Sequence, residues 1–348
     1  MTVYNYKGLN AHTISDKVIA REDAMRNVDR DSLSLMEKCR FIRAQLDSGY
    51  PSIKDKSLYR LKLQEIKPEL MSLAKAGDRV AMFYLSVFFV SDPVCNREWL
   101  DGASDEDYPI MAMCYLREAA NRDMTEQDYQ LALSLEKLFS SLPDDEMRLR
   151  GLMRCHYFIA AYEGKSKLER AEAVREERVA LASLGSYATI NSLMLCASRR
   201  VELAKTEEER LDATEEWEFW CTVAYLVMEH YAKQGNKRHC FSLAHMLYEG
   251  RGCEQDVEAS INYDVESLLY LGSLLSEDGA RRLRERNDIL YIVNPVGAAI
   301  VKACLDGDRE ALYAAVAEAS RTGNRGRIKK ADFHIRNAIH YDFKCGES

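Results

Sequence analysis

Proline is scarce, at six among 348 residues. A proline inside a helix removes a backbone donor and clashes with the preceding turn, so this scarcity leaves room for long uninterrupted helices. Sustained alternation of apolar and polar residues is almost absent, which argues against an extensive sheet. No apolar run approaches the roughly 20 residues of a membrane-spanning helix. The longest, Val80 to Val90, reads as a buried helix. The opening Met-Thr-Val-Tyr-Asn-Tyr-Lys-Gly has neither a charged segment followed by an apolar stretch nor a small-residue cleavage site, so a cytoplasmic protein is expected.

Reaction motifs are also missing. Gly250-Arg251-Gly252 lacks the lysine, the third glycine and the preceding strand of a phosphate-binding loop, and reads as a turn. There is no Gly-x-Ser-x-Gly elbow and no His-Glu-x-x-His helix. A triad drawn from distant positions is recognised by geometry, so sequence alone does not exclude one.

What is present fits a folded, helical chain. Apolar residues make up 47% and charged residues 30%, which sets the chain apart from disordered compositions. Trp217, Trp220, Cys221, Ala224, Tyr225, Met228, Tyr231 and Ala232 fall on one stripe of a 3.6-residue helix, expected to be core. Ser166-x-x-Glu169 and Thr206-x-x-Glu209 fit reciprocal capping boxes at helix starts. Gly77, Gly235 and Gly307 stand where a left-handed residue would close one helix before the next. The prolines sit near turn-like stretches, where a helix can begin. Cysteines 114, 155, 196, 221 and 304 occur singly in apolar helical stretches, as small buried hydrophobes would.

A worn internal period accompanies these signals. Gly77-Asp78-x-x-Ala81-x-x-x-Leu85 opens one segment and Gly307-Asp308-x-x-Ala311-Leu312 another. Between them, Gly235-Asn236 leads into Leu243-Ala244-His245-Met246-Leu247-Tyr248-Glu249-Gly250-Arg251-Gly252-Cys253-Glu254-Gln255-Asp256. That stretch resembles the Sel-one-like repeat family, short-hairpin relatives of tetratricopeptide repeats, with the approximate pattern L-G-x-x-Y-x-x-G-x-G-V-x-x-D. Leu243, Gly250, Gly252 and Asp256 match it, whereas Ala244, Leu247 and Cys253 replace its glycine, tyrosine and valine. Tyr115 to Ala120 looks like the closing stretch of the unit opened at Gly77, with an insertion over residues 91–108.

The resemblance implies an all-α protein, an α-solenoid of stacked antiparallel helical hairpins with little or no sheet. The expected organisation is a helical cap over residues 1–60, a hairpin array over 61–280 and a helical segment with a basic loop over 281–348. Family members commonly act as adaptors or assembly scaffolds, which implies a non-enzymatic protein–protein interaction role. Other relatives are secreted, cysteine-paired proteins linked to cell-wall or antibiotic chemistry, which implies an alternative, an all-helical hydrolase or transferase with a site in the groove.

Charge bears on the partner. Residues 281–348 hold 13 Lys+Arg against 9 Asp+Glu, and the remainder holds 35 against 47. An acidic body repels phosphate, so nucleic acid is disfavoured except at the basic segment 321–330. There Arg321, Arg325, Arg327, Lys329 and Lys330 form a candidate electrostatic contact for an acidic protein surface, which Arg281, Arg282, Arg284 and Arg286 could extend. The competing reading is a solvated loop, and a nucleic-acid-associated regulator is the further alternative. Few aromatics interleave the run, so a protein partner is favoured over nucleic acid or a membrane. His239, Cys240, His245 and Cys253 are zinc-type residues, but a six-residue histidine spacing does not share one helical face, and His334 and His340 repeat it. No metal, cofactor or catalytic set is therefore expected. Asp105-Glu106-Asp107, Glu207 to Glu209 and Glu215-Glu216 read as helix starts and solvated faces.

Overall fold

Helix-start chemistry dictates most of the element boundaries. In the computed structural model, residues 2–26, 33–35, 37–39, 65–76, 78, 80–81, 84–85, 120, 123–142, 145–237, 239–291 and 294–345 are described. Among them the fold is all-α with one two-stranded ladder. Strands β1 (Asn5–Tyr6) and β2 (Leu9–Asn10) pair antiparallel, with Lys7 and Gly8 both at positive φ in the connecting turn. Helices follow as α1 (Ala11–Arg26), α2 (Glu126–Ser140), α3 (Asp145–Tyr162), α4 (Lys167–Ala173), α5 (Arg175–Ser183) and α6 (Tyr187–Leu203). Then come α7 (Glu207–Lys233), α8 (Cys240–Glu249), α9 (Val257–Gly272), α10 (Glu277–Tyr291), α11 (Pro295–Asp306), α12 (Arg309–Arg321) and α13 (Gly326–Cys345). The expected opener Gly77, the insertion 91–108, the acidic run 105–107 and most of 115–120 lie outside the described residues.

Two compact units divide the chain: an N-terminal one drawn from Asp16 to Trp217, and a C-terminal one built from Met1–Ser15 and Glu218–Ser348. In the N-terminal unit, α2 packs on α3, which also meets α4 and α5. Ala132, Leu135, Phe139, Cys155 and Phe158 form the core there with Leu70 and Leu85. Both capping boxes form. Ser166 accepts from the Glu169 amide while Glu169 accepts from the Ser166 amide at 2.8 Å. Thr206 and Glu209 do the same at the start of α7. A third box, Thr125 with Asp128, escapes the sequence rule because aspartate replaces the usual Glu or Gln.

In the C-terminal unit α8 packs on α9 as a hairpin, and α11, α12 and α13 close around α9. Ile261, Val265 and Leu268 of α9 are buried with Ile300, Leu312, Val316, Ile328 and Ile335. The buried part of α7 is wider than its stripe, because Phe219, Val223 and Val227 are also shut off from solvent. The ring of Tyr6 lies 5.9 Å from that of Phe219 in the same unit. Pro295 opens α11 behind the Asn294 cap, as a helix-first proline should. Cys39, Cys155, Cys221, Cys240, Cys253 and Cys304 are free and buried and Cys196 is free and half-buried, while Cys114 lies outside the described residues. Burial pushes the thiols of Cys155, Cys221 and Cys304 up to about 12, so they stay protonated and pack as apolar groups.

The turn between α8 and α9 carries the tightest constraint. Gly250 and Gly252 both take left-handed φ, +68° and +69°. A Cβ on Gly252 would collide with the Cys221 carbonyl group of α7, whereas one on Gly235 (φ +81°) meets nothing within 4 Å. Gly235→Ala should therefore cost only the conformational penalty, about 1 kcal/mol. Gly252→Ala adds the collision and should cost about 2–4 kcal/mol. Urea unfolding of both variants checks this, and equal losses would remove the close approach at Cys221.

Candidate functional site

The basic run starts in the last turn of α12 and ends in the first turn of α13, and its members have different surroundings. Arg321 is exposed and pairs with the equally exposed Glu258 at 3.2 Å. Arg327 is half-buried, and Lys329 and Lys330 are exposed. Arg325 is only 6% exposed, so its charge is not offered to a partner. Its Nη1 donates to the Ser260 hydroxyl at 2.6 Å, and that hydroxyl donates to the Ala244 carbonyl at 2.7 Å. Its Nη2 lies 2.9 Å from Oδ2 of Asp264, which is fully buried. The guanidinium also stacks over the Tyr248 ring at 4.8 Å, while the Tyr248 hydroxyl donates to the Ser320 carbonyl at 3.2 Å. One side chain thus links α8, α9 and the α12–α13 turn.

The charges around this centre are set by burial. Burial raises the Asp264 carboxyl above its ordinary range, Arg325 opposes it and Asp332 adds to it. Burial lowers His245 to about 4, opposed by Glu249 and reinforced by Lys329, Arg251 and Arg325. The His245 ring is then neutral, and its Nε2 accepts from Lys329 Nζ at 3.3 Å.

The zinc-type residues of this region go separate ways. His239 stacks on Tyr231 with centroids 5.0 Å apart, and Cys240 and Cys253 direct their sulfurs to the Asn236 and Met246 carbonyls. Among the described residues no group of three His, Cys, Asp or Glu side chains could hold a metal ion. The side chain of His340 lies outside the described residues.

The arginines of α10 extend the run less than the sequence promises. Arg281 is paired with Asp278 at 3.0 Å and Glu285 at 3.3 Å, and Arg284 with Asp306 at 3.3 Å. Arg286 is exposed and has no carboxylate partner among the described residues.

Three charge centres in the N-terminal unit carry no sequence signature. Glu216, expected on a solvated face, is buried and bound by Arg175 at 2.6 Å and by Arg200. Burial pushes Glu146 up, but Arg21 and Arg150 outweigh it and hold the carboxyl at about 2. The third centre is His156, whose Nδ1 lies 2.7 Å from Glu177 and Nε2 3.3 Å from Glu136. The two nitrogens point to opposite sides of the ring, so these groups do not converge on one ion. They clasp the imidazole of α3 between carboxylates of α2 and α5. Of the other charges nearby, Arg178 acts on Glu177, while Arg170 of α4 is turned to the Ala120 carbonyl.

Three outcomes follow from these geometries. Arg325→Met leaves Asp264 buried without its counter-charge and should cost about 3–5 kcal/mol, largely recovered by adding Asp264→Leu. Lys330→Ala should stay within about 0.5 kcal/mol in the same urea experiment. The hydrogen bond to Glu177, then Glu136, raises the His156 pKa above its ordinary 6.5. The clasp therefore contributes fully below pH 6.5, and its contribution is lost as pH rises through the folded-state value. Stability measured against pH should fall over that window in the natural chain and not in His156→Gln; parallel curves would show that the clasp does not form.

Comparison of the chain with protein-family models, with curated proteins and with solved structures returns no match.

Proposed function

We propose that this protein is a non-enzymatic interaction scaffold whose helical hairpins stack as an α-solenoid of the Sel-one-like type. The α8–α9 hairpin carries the reading. At the positions that define the family pattern, Leu243 and Ala244 are buried, Gly250 and Gly252 reverse the chain with left-handed φ, and Asp256 caps α9 by accepting from the Ala259 amide at 2.9 Å. The substitutions Leu247 and Cys253 are buried apolar groups.

The same start recurs at the other worn segments. Asp308 accepts from the Ala311 amide at 3.0 Å behind left-handed Gly307, and Asp78 accepts from the Ala81 amide at 2.9 Å. Three Asp-x-x-Ala caps, at 78, 256 and 308, mark one repeating way of starting a helix. A hairpin of this kind is stable only when a neighbour covers its remaining apolar face, and stacking leaves an extended surface of side chains for binding.

Quantitative affinity capture of the full-length chain from native extract, against an unrelated helical bait, tests this role. A small set of proteins recovered in fixed proportion, and re-forming a complex when purified, is the expected result. Recovery of no specific partner from repeated extracts would overturn it.

A further inference from the structure

Helices α10 and α13 pack against each other in the C-terminal unit. Lys330, Phe333 and Asn337 fall three, then four residues apart, which places them on one stripe of α13. Phe333 is 59% exposed, an unusual position for a large ring, and it meets His334 edge-on with centroids 5.8 Å apart. Burial lowers the proton affinity of His334, and the charges of Arg286 on α10 and Lys330 lower it further, so the field of both cations reaches that ring. Neither cation has a carboxylate partner among the described residues.

The flanks are different. Arg281 and Arg284 are cancelled by Asp278, Glu285 and Asp306, and Arg336 by Asp332 at 2.8 Å. Arg327 and Lys329 also have no carboxylate partner among the described residues, so the start of α13 carries free positive charge with an exposed aromatic ring, Phe333, within it. Because Arg281 is paired with Asp278 and Glu285, and Arg284 with Asp306, neither offers a phosphate backbone a free cation to follow along α10. One phenylalanine cannot stack a series of bases. A segment with a few carboxylates around one apolar side chain meets both features at once, since an apolar anchor within a charged rim is how compact interfaces concentrate their energy.

The geometry points to the Arg286–Lys330–Phe333 face of α10 and α13 as a docking site for a short acidic peptide segment of a partner protein, its apolar side chain seated on Phe333. This assignment rests on the scaffold reading above and narrows it to one face and one class of partner.

Selection of a random dodecapeptide display library on the full-length chain tests it, with enriched peptides re-measured by fluorescence anisotropy. The enriched peptides should be rich in Asp and Glu around a Leu, Phe or Trp, and should weaken with added salt. Phe333→Ser should weaken them about tenfold, and Arg286→Glu with Lys330→Glu at least as much. All three positions are at or near the surface, so thermal unfolding followed by circular dichroism should be nearly unchanged and separates lost binding from lost folding. Acidic peptides that bind both variants as tightly as the natural chain would overturn this face and leave the scaffold reading standing. Enrichment without acidic bias, or tighter binding of a labelled single-stranded oligonucleotide through the same residues, would overturn the assigned partner class. Enrichment of no peptide would count against the face and the scaffold together.

Discussion

An antiparallel pair of helices has two apolar sides and can close only one of them by itself. In the C-terminal unit this constraint decides the arrangement. Ile261, Val265 and Leu268 of α9 are fully or almost fully buried, and they share their cluster with residues of α11, α12 and α13. Burying a side chain of that size stabilises by about 1.5–3 kcal/mol, so an uncovered α9 would forfeit several times that amount. Each element is therefore held by the next. The left-handed turn at Gly250 and Gly252 matters for the same reason: it lets the chain reverse against the α7 backbone at Cys221 without a side chain in the way.

Into this apolar junction the fold inserts one charged centre. Arg325 and Asp264 are both buried, and the contacts with Ser260 and Tyr248 satisfy much of the guanidinium. Such a pair adds little net stability over an apolar replacement, but breaking it is costly, so it penalises packings that separate α9 from the start of α13. His156 in the N-terminal unit works on the same logic at lower stakes. Two carboxylates from different helices give a half-exposed ring reason to keep its proton.

Local features are legible in the sequence and long-range ones are not. Helices, the two capping boxes, the left-handed glycines at 235 and 307 and the burial of Cys155, Cys221 and Cys304 follow from neighbours within a few residues, where spacing reports geometry directly. Arg325 resembles its exposed neighbours in sequence, because its partner Asp264 is 61 positions away and no local pattern encodes the pairing. Glu216 reads as a surface residue for the same reason, since Arg175 lies 41 positions away. The burial of Phe219, Val223 and Val227 beside the stripe also exceeds what a single stripe conveys. Of the candidate contact, Lys329 and Lys330 stand at the surface as their sequence suggests. The exposure of Phe333 and the neutralisation of Arg281 and Arg284 depend on how the helices pack and pair.

Hydrogen exchange on the full-length Arg325→Met chain, read by mass spectrometry, probes the dependence of the α8–α9 pair on the helices that cover it most directly. The account predicts that protection falls together in α8, α9, α12 and α13, because the centre that joins them is gone. Loss confined to the first turn of α13, with α8 and α9 as protected as in the natural chain, would contradict it.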